Sequence, residues 1–593
     1  MSSEYTFPNP FVPEKRRLKP NRKLIYGLCS ALVFLLLLFA ALALYIQFDV
    51  FKSPKLIYLQ SEVSTIESWS QDWLKLWEDW AKDGTLNPDQ PIHSVLELSD
   101  VQIDPDASGE FPPDLLDVIA KSQLVMDTQE DAGNHQFAQK LDWYVDDTSF
   151  LGIESAMDSE KVLFRIPAIY DKYGYIQAKD IDEMKKRFQM GAFPKRVVSL
   201  QEWLDALGMD SDEFSRLMLP YGKLYADGIA SEQVTLNKNG VLEEAGTSVK
   251  CRELTISFSN EDMKRLMSVF ADKLADDQEL QNKLYDRLLS TRLLISDSGY
   301  PVKYLEKEQF LQQWKQLAAG FKQVASGQTL RDGLTMKVYI DRHHRILQRK
   351  LDFDVKDGVA DEAVTVKLGS WKANSSLTYT LLSIASTNQQ QGDKEEITFL
   401  HTQEVDDSRM QGKVALNMKL HPEDQAVNET DFSAQLAYDR KTLADRETSN
   451  YHFKIRMPEE IPQSPFNYEG DITVDKTRQD PYVTERNSRI RLGIYSAEDQ
   501  LSHHLVDFKL HHTLETGAPV RIPLLSEDNS INLGQMSDQD MEGVYRDIGQ
   551  GIQRLAQEHQ ELLRVLGVPA ALFDRQGSLG ESKAPRSRNK LST

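Results

Sequence analysis

The chain has 593 residues, 40% of them hydrophobic, and a formal net charge of −22 at pH 7. That length allows several domains and a large core, and an acidic body repels nucleic acid and anionic lipid headgroups. With Cys29 and Cys251 as the only cysteines, a disulfide-stapled secreted scaffold is excluded.

Residues 1–23 form a basic arm that carries Lys15, Arg16, Arg17, Lys19, Arg22 and Lys23. Leu24 to Phe48 then run for 25 positions without a charged side chain. At about 1.5 Å per residue a helix of that length crosses a ~30 Å hydrocarbon core. The sequence therefore predicts a transmembrane helix over 24–48. The basic flank before it, with Asp49 as the first charge after it, predicts a cytoplasmic N-terminus and an extracellular remainder. The run is too long for a cleavable signal peptide, although Ala41-Leu42-Ala43 has a small-x-small spacing. Cys29 follows Leu28 near the start of the run, which does not suit a lipoprotein. The expected address is the cell membrane, single-pass.

A juxtamembrane region spans 49–92. From Pro54 to about Trp80 the apolar residues Leu56, Leu59, Val63, Ile66, Trp69, Trp73 and Trp77 recur at helical steps. Its polar face is acidic (Glu62, Asp72, Asp79) where interfacial helices are basic, which favours docking on a protein core. A first β-rich region, 93–258, shows alternation in Gln136–Val145 and Lys161–Ile166. Within it lies a helical insert, 179–227, with capping-box spacing at Ser199-x-x-Glu202 and Asp210-x-x-Glu213 and with Pro220 expected to limit its last helix. A helical block follows at 259–325, where Met263, Leu266, Phe270 and Leu274 share one face and Phe310, Trp314, Leu317 and Phe321 mark the third helix.

From 326 to 530 the chain reads as antiparallel β. Val338 and Ile340, Val414, Leu416 and Met418, and Tyr451, Phe453 and Ile455 alternate with polar neighbours, so each strand has one apolar and one wet face. A C-terminal helix in 531–574 starts at the cap residue Ser537 and carries the stripe Ile548, Ile552, Leu555, Leu562 and Leu566. Residues 575–593 are polar and basic and are expected to be disordered. The fold class expected from these elements is α+β: one transmembrane helix, then an ectodomain of large curved antiparallel sheets packed on helices.

Catalytic signatures are absent. There is no G-x-S-x-G, S-x-x-K, H-E-x-x-H or P-loop, and Gly549-x-Gly551 sits in a helix with no third glycine. Cys251 falls in a strand and reads as a small hydrophobe. His503, His504, His511 and His512 resemble a metal cluster on paper. On a strand, however, His503 and His511 stand roughly 27 Å apart at ~3.3 Å per residue, too far for one ion. His343-His344 falls in a hairpin turn. Asp104-x-Asp106-x-Ser108-Gly109 opens like a calcium loop, but position twelve is Leu115 instead of a bidentate Glu. No catalytic, cofactor-binding or metal residue is assigned, and no cofactor is expected.

Lys337-Val338-Tyr339-Ile340-Asp341 and the turn after it resemble hairpins of periplasmic lipoprotein carrier domains. That resemblance implies a curved sheet clasping helices around an apolar cavity. Ser53-Pro54-Lys55-Leu56-Ile57-Tyr58-Leu59 and Val249-Lys250-Cys251-Arg252-Glu253-Leu254-Thr255-Ile256 resemble uncharacterised, N-terminally anchored envelope proteins of Gram-positive spore-formers, which implies location and architecture only. The functional expectation is a membrane-tethered, non-enzymatic envelope module that binds or scaffolds an apolar ligand or a protein partner, with Val338, Leu416 and Phe453 turned inward. Its partners would be the bilayer, through residues 24–48, and a lipid or envelope protein, with no nucleic acid. The alternatives are a surface hydrolase, whose paired carboxylates would stand about 5–10 Å apart, and an envelope-stress sensor subunit.

Overall fold

The computed structural model describes residues 53–66, 68, 90–104, 112–187, 192–327 (except 197, 199 and 210), 329–356, 361–421 (except 391), 430–457, 467–495 and 502–568. Residues 24–48, most of the calcium-like loop, and Trp69, Trp73 and Trp77 lie outside that set.

Period-two alternation builds the strands. The first group is β1 (Ile92–Ile103), β2 (Ser122–Asp131), β3 (Gln136–Val145), β4 (Thr148–Met157), β5 (Lys161–Ile166), β6 (Tyr170–Gln177), β7 (Val234–Glu244) and β8 (Thr247–Phe258). The second group is β9 (Thr329–Ile340), β10 (Ile346–Lys356), β11 (Asp361–Lys372), β12 (Leu377–Asn388), β13 (Lys394–Val405) and β14 (Arg409–His421). It continues with β15 (Thr430–Leu443), β16 (Arg446–Arg456), β17 (Asn467–Arg478), β18 (Val483–Tyr495), β19 (Ser502–Thr516) and the short β20 (Ser530–Asn532).

These strands form one 20-stranded sheet. It runs as an antiparallel meander from β7 to β19, passes to β1 through pairs such as Leu98 with Leu510, and continues to β6. β20 adds to β6 in parallel. Among the described residues β7 and β20 do not pair, so two edges remain.

The helices are α1 (residues 54–66), α2 (Pro113–Ala120), α3 (Ile181–Arg187), α4 (Leu200–Leu207), α5 (Ser211–Gly228), α6 (Asn260–Asp276), α7 (Gln278–Asp297), α8 (Lys307–Gly327), α9 (Asp538–Glu558) and α10 (Gln560–Val565). α5 runs through Pro220 instead of stopping there. Burial of Leu217, Tyr221 and Tyr225 on both sides of the proline holds the helix together and outweighs the lost backbone donor. α6 and α9 begin with Ser259–Asp262 and Ser537–Asp540 capping boxes.

Two corrections to the fold expectation follow. One continuous sheet, not sheets within an α+β ectodomain, organises the described chain, because β1 and β19 join the two β-rich regions across more than 400 residues. Local alternation marks strands but carries no information about such a pairing. In addition, no helix of the described residues is long and apolar enough to cross a membrane.

Candidate functional site: an apolar inner wall

Cross-strand register puts the apolar residues of successive strands on one face. One row runs Val338, Arg349, Leu368, Leu382, Phe399, Leu416, Ala434, Ile455, Tyr468 and Ile494. A neighbouring row runs Met336, Leu351, Val366, Ile384, Ile397, Met418 and Phe432. Beyond β18 the same face continues through Leu510, Leu98, Leu124, Trp143 and Leu151. The opposite face is laced by ion pairs such as Arg489–Asp507 (2.6 Å), Arg409–Asp439 (2.7 Å) and Lys454–Glu469 (3.3 Å). Their guanidinium partners hold the Asp507 and Asp439 carboxyls below the usual carboxylate range.

Helices bury the apolar face most extensively at one end. Over β8 to β12, Ile57 and Tyr58 of α1, Leu217 and Tyr225 of α5, and Leu266 and Phe270 of α6 join Leu254, Met336, Val338, Leu351, Val366 and Ile384 in one buried cluster. Arg349 is the one charge of its row, and it pairs with Glu62 of α1; both groups are buried. Beside them the Tyr58 and Tyr225 hydroxyls share a 2.7 Å hydrogen bond. Burial, then the charge of Glu62, pushes both phenols far above their ordinary value. Thr65 Oγ1 accepts the Ile346 amide at 2.8 Å. These polar ties fix α1 on the sheet at one register, since a partner of such a pair left alone in the core is costly.

The face then goes uncovered. Among the described residues no hydrophobic side chain between Ile384 and Leu514 is buried. Leu416, Phe432, Leu436, Phe453, Ile472, Ile490 and Leu492 are partly exposed, and Met418 and Tyr468 are exposed. A few polar groups interrupt the wall. His401 and Tyr438 share a 2.8 Å hydrogen bond. His512 bonds Ser94 Oγ at 2.9 Å and stands opposite Arg486. Burial, then the Arg486 charge, lowers the pKa of His512.

The apolar face is the inside of a bend. α7 is 20 residues long, about 30 Å. Near its start, Leu280 belongs to the buried cluster over β8 to β12. At its end, Ile295 and Ser298 share a cavity of about 540 Å³ with Phe137, Ser155, Met157 and Val162, which lie on the same sheet face in β3 to β5. The Lys195 amide donates to the Ser298 carbonyl at 2.9 Å, which ties α7 to the segment after α3. Along the sheet, β9 and β4 are 14 steps apart, about 67 Å if flat at ~4.8 Å per strand. A helix of 30 Å can touch both only if the sheet curls with its apolar face inward and its ion-paired face outward.

The residues that the sequence singled out lie elsewhere. Cys251 sits in β8 beside Leu242 and Trp371 without a disulfide, and burial raises its thiol pKa. His511 and His512 alternate across the two faces of β19; His511 bonds Asn487 at 2.7 Å on the outer one. His503 and His504 stand near the other end of that strand. His343 and His344 occupy the β9–β10 turn. Among the described residues no three His, Cys, Asp or Glu side chains could share a metal ion. Sequence reasoning missed Glu62–Arg349, although Arg349 is a charge in an otherwise apolar alternation. It also missed that Val338 and Leu416, members of one register row, differ in cover, Val338 being buried and Leu416 partly exposed.

No family model matches the chain, and no curated protein matches it. Solved structures that match are outer-membrane porins. The anion-selective porin of Comamonas acidovorans is 6% identical over 72% of this chain and 98% of its own, with a TM-score of 0.21. Pseudomonas aeruginosa OccK1 is 7% identical over 73% and 99%, with a TM-score of 0.21. Acinetobacter baumannii OccAB4 is 8% identical over 72% and 98%, with a TM-score of 0.23. At these TM-scores the matches assign neither fold nor function to this chain. The matches are neither lipoprotein carriers nor spore-former envelope proteins. With one 20-stranded sheet organising the described chain and no membrane-crossing helix among the described residues, the expectations of a single-pass cell-membrane address and of a tethered binding or scaffold module are withdrawn.

Proposed function

We propose that this chain is a transport protein, a conduit along which the hydrocarbon part of a lipid moves over the inner wall of a curled sheet. The observation that carries this reading is the continuous apolar face from β13 to β18, turned inward and without a cover among the described residues. Soluble monomers rarely leave contiguous apolar patches beyond a few hundred Å² exposed unless something binds there. A sheet of eight strands fills its interior with its own side chains, whereas much larger ones enclose open space. The arrangement is inverted relative to a membrane-embedded barrel, which turns its apolar residues to the lipid and its polar ones to the lumen. No catalytic chemistry is invoked. Movement needs only that each position hold the cargo weakly, and a wall of partly exposed Leu, Ile and Phe side chains does so without directional bonds.

The test is lipid transfer between donor and acceptor vesicles, followed by dequenching of a fluorescent phospholipid. The full chain should accelerate transfer, and Leu416→Asp or Phe453→Asp should remove the acceleration. No acceleration by the wild-type chain, or full activity in both variants, would overturn the proposal.

A further inference from the structure

We infer a second, separate site between α9 and strands β5 and β6 that takes one linear hydrocarbon chain with a carboxylate head, as in a medium-chain fatty acid. α9 lays its apolar stripe on the far end of the sheet, on the same face as the wall, yet does not close onto it. A cavity of about 340 Å³ remains, lined by Phe164, Gly174, Met184, Leu533, Val544 and Ile548 among others. Well-packed interiors hold few voids larger than a water, and an apolar void of about 150 Å³ already admits a benzene-sized guest. At the roughly 30 Å³ that a water-sized group occupies in a liquid, this cavity takes a chain of about eleven such groups.

The gap is held open by the fold. At its start, α9 is fixed by the Ser537–Asp540 capping box. At Gly551 the helix meets the β5–β6 turn so closely that an added Cβ would lie 1.7 Å from the Ile169 carbonyl oxygen. Between those two anchors the helix bridges the cavity as a lid. The absence of a side chain at buried Gly174 keeps the floor low, where a Cβ would stand 2.9 Å from Leu533. Tyr545 and Ile552, exposed apolar residues of α9, mark the open side.

Two cations border the cavity. Arg165 is committed to Glu154 at 2.7 Å and to the Tyr173 ring. Lys172 reaches only the Glu527 carbonyl, at 3.4 Å, and has no carboxylate partner among the described residues. Its ammonium is the group left to meet an anionic head, and this assigns the carboxylate.

The test uses the full chain with a diazirine-bearing dodecanoic acid and peptide mapping after photolysis. Label should fall within residues 164–184 or 531–552, the two segments that line the cavity, and be competed by dodecanoate. Label outside those two segments, or inside them without competition, would overturn the site. Val544→Trp should cut labelling at least tenfold with an unchanged melting temperature, while Leu416→Asp, which disables the wall, should leave it intact. Lys172→Glu should weaken dodecanoate competition several-fold; equal competition by dodecyltrimethylammonium would overturn the assignment of the head to Lys172.

Discussion

Two stretches of one apolar face meet different fates. Over β8 to β12 the face lies under α1, α5 and α6, and Met336, Val338 and Ile340 lose all contact with solvent. Over β13 to β18 residues of the same type, spacing and register remain partly exposed. Alternation sets which face is apolar in both stretches. What covers it is decided by tertiary placement of helices, and in the second stretch no described element is supplied. The first stretch is therefore a core, whose residues contribute stability. The second is a surface, whose residues are free to contribute binding.

That contrast gives graded expectations. The largest effect belongs to the buried pair in the covered stretch. Glu62→Ala should cost about 3–5 kcal/mol in urea unfolding, since it strands Arg349 in an apolar cluster, and Glu62→Leu with Arg349→Met should recover much of it. If the single change costs no more than a surface substitution, α1 does not dock as described.

Next comes the paired comparison itself. Met336→Ala should destabilise by about 2–5 kcal/mol, as a cavity in a closed core does. Leu416→Ala should cost less, about 1–2 kcal/mol, because a partly exposed leucine forfeits only part of its ~1.5–3 kcal/mol transfer energy and leaves no closed cavity. Equal losses in urea midpoint would mean that the wall is packed.

The smallest effect concerns the bridge that curls the sheet. Asp277 caps α7 by accepting the Leu280 amide at 3.0 Å, and it pairs with Lys273 at 2.7 Å. Burial raises its pKa, but the Lys273 ammonium and the Leu280 amide more than offset this and leave the carboxyl below its ordinary value. A depressed folded-state pKa contributes stability that is complete above the unfolded value, near ~4, and lost as pH falls below it. The urea midpoint should thus drop below about pH 4 for the wild type, and less steeply for Asp277→Asn. Asp277→Asn should cost on the order of 1 kcal/mol at pH 7. An identical acid limb in both chains would remove Asp277 from the bridge.

The strands of the second β region and the helical block were legible, because period two at Leu334–Ile340 and period 3.6 at Met263–Leu274 are local consequences of one-sided burial. The pairing of β1 with β19 was not legible. It is made of backbone hydrogen bonds between segments that carry ordinary amphipathic alternation, so nothing in either names the other. Likewise Val338, Leu416 and Phe453 share one pattern, and only the seating of α1 and α5 separates a core residue from a wall residue. The Pro220 stop failed for a related reason: flanking buried Tyr and Leu side chains override a local breaker.

The most direct test of the inner wall is photo-crosslinking from single sites on adjacent residues of β14. A photoreactive phenylalanine analogue at Leu416, on the apolar face, should yield lipid adducts in mass spectra of the chain purified from cells. The same group at Asn417, on the ion-paired face, should yield none. Adducts at both positions, or none at Leu416, would contradict a cargo-bearing wall.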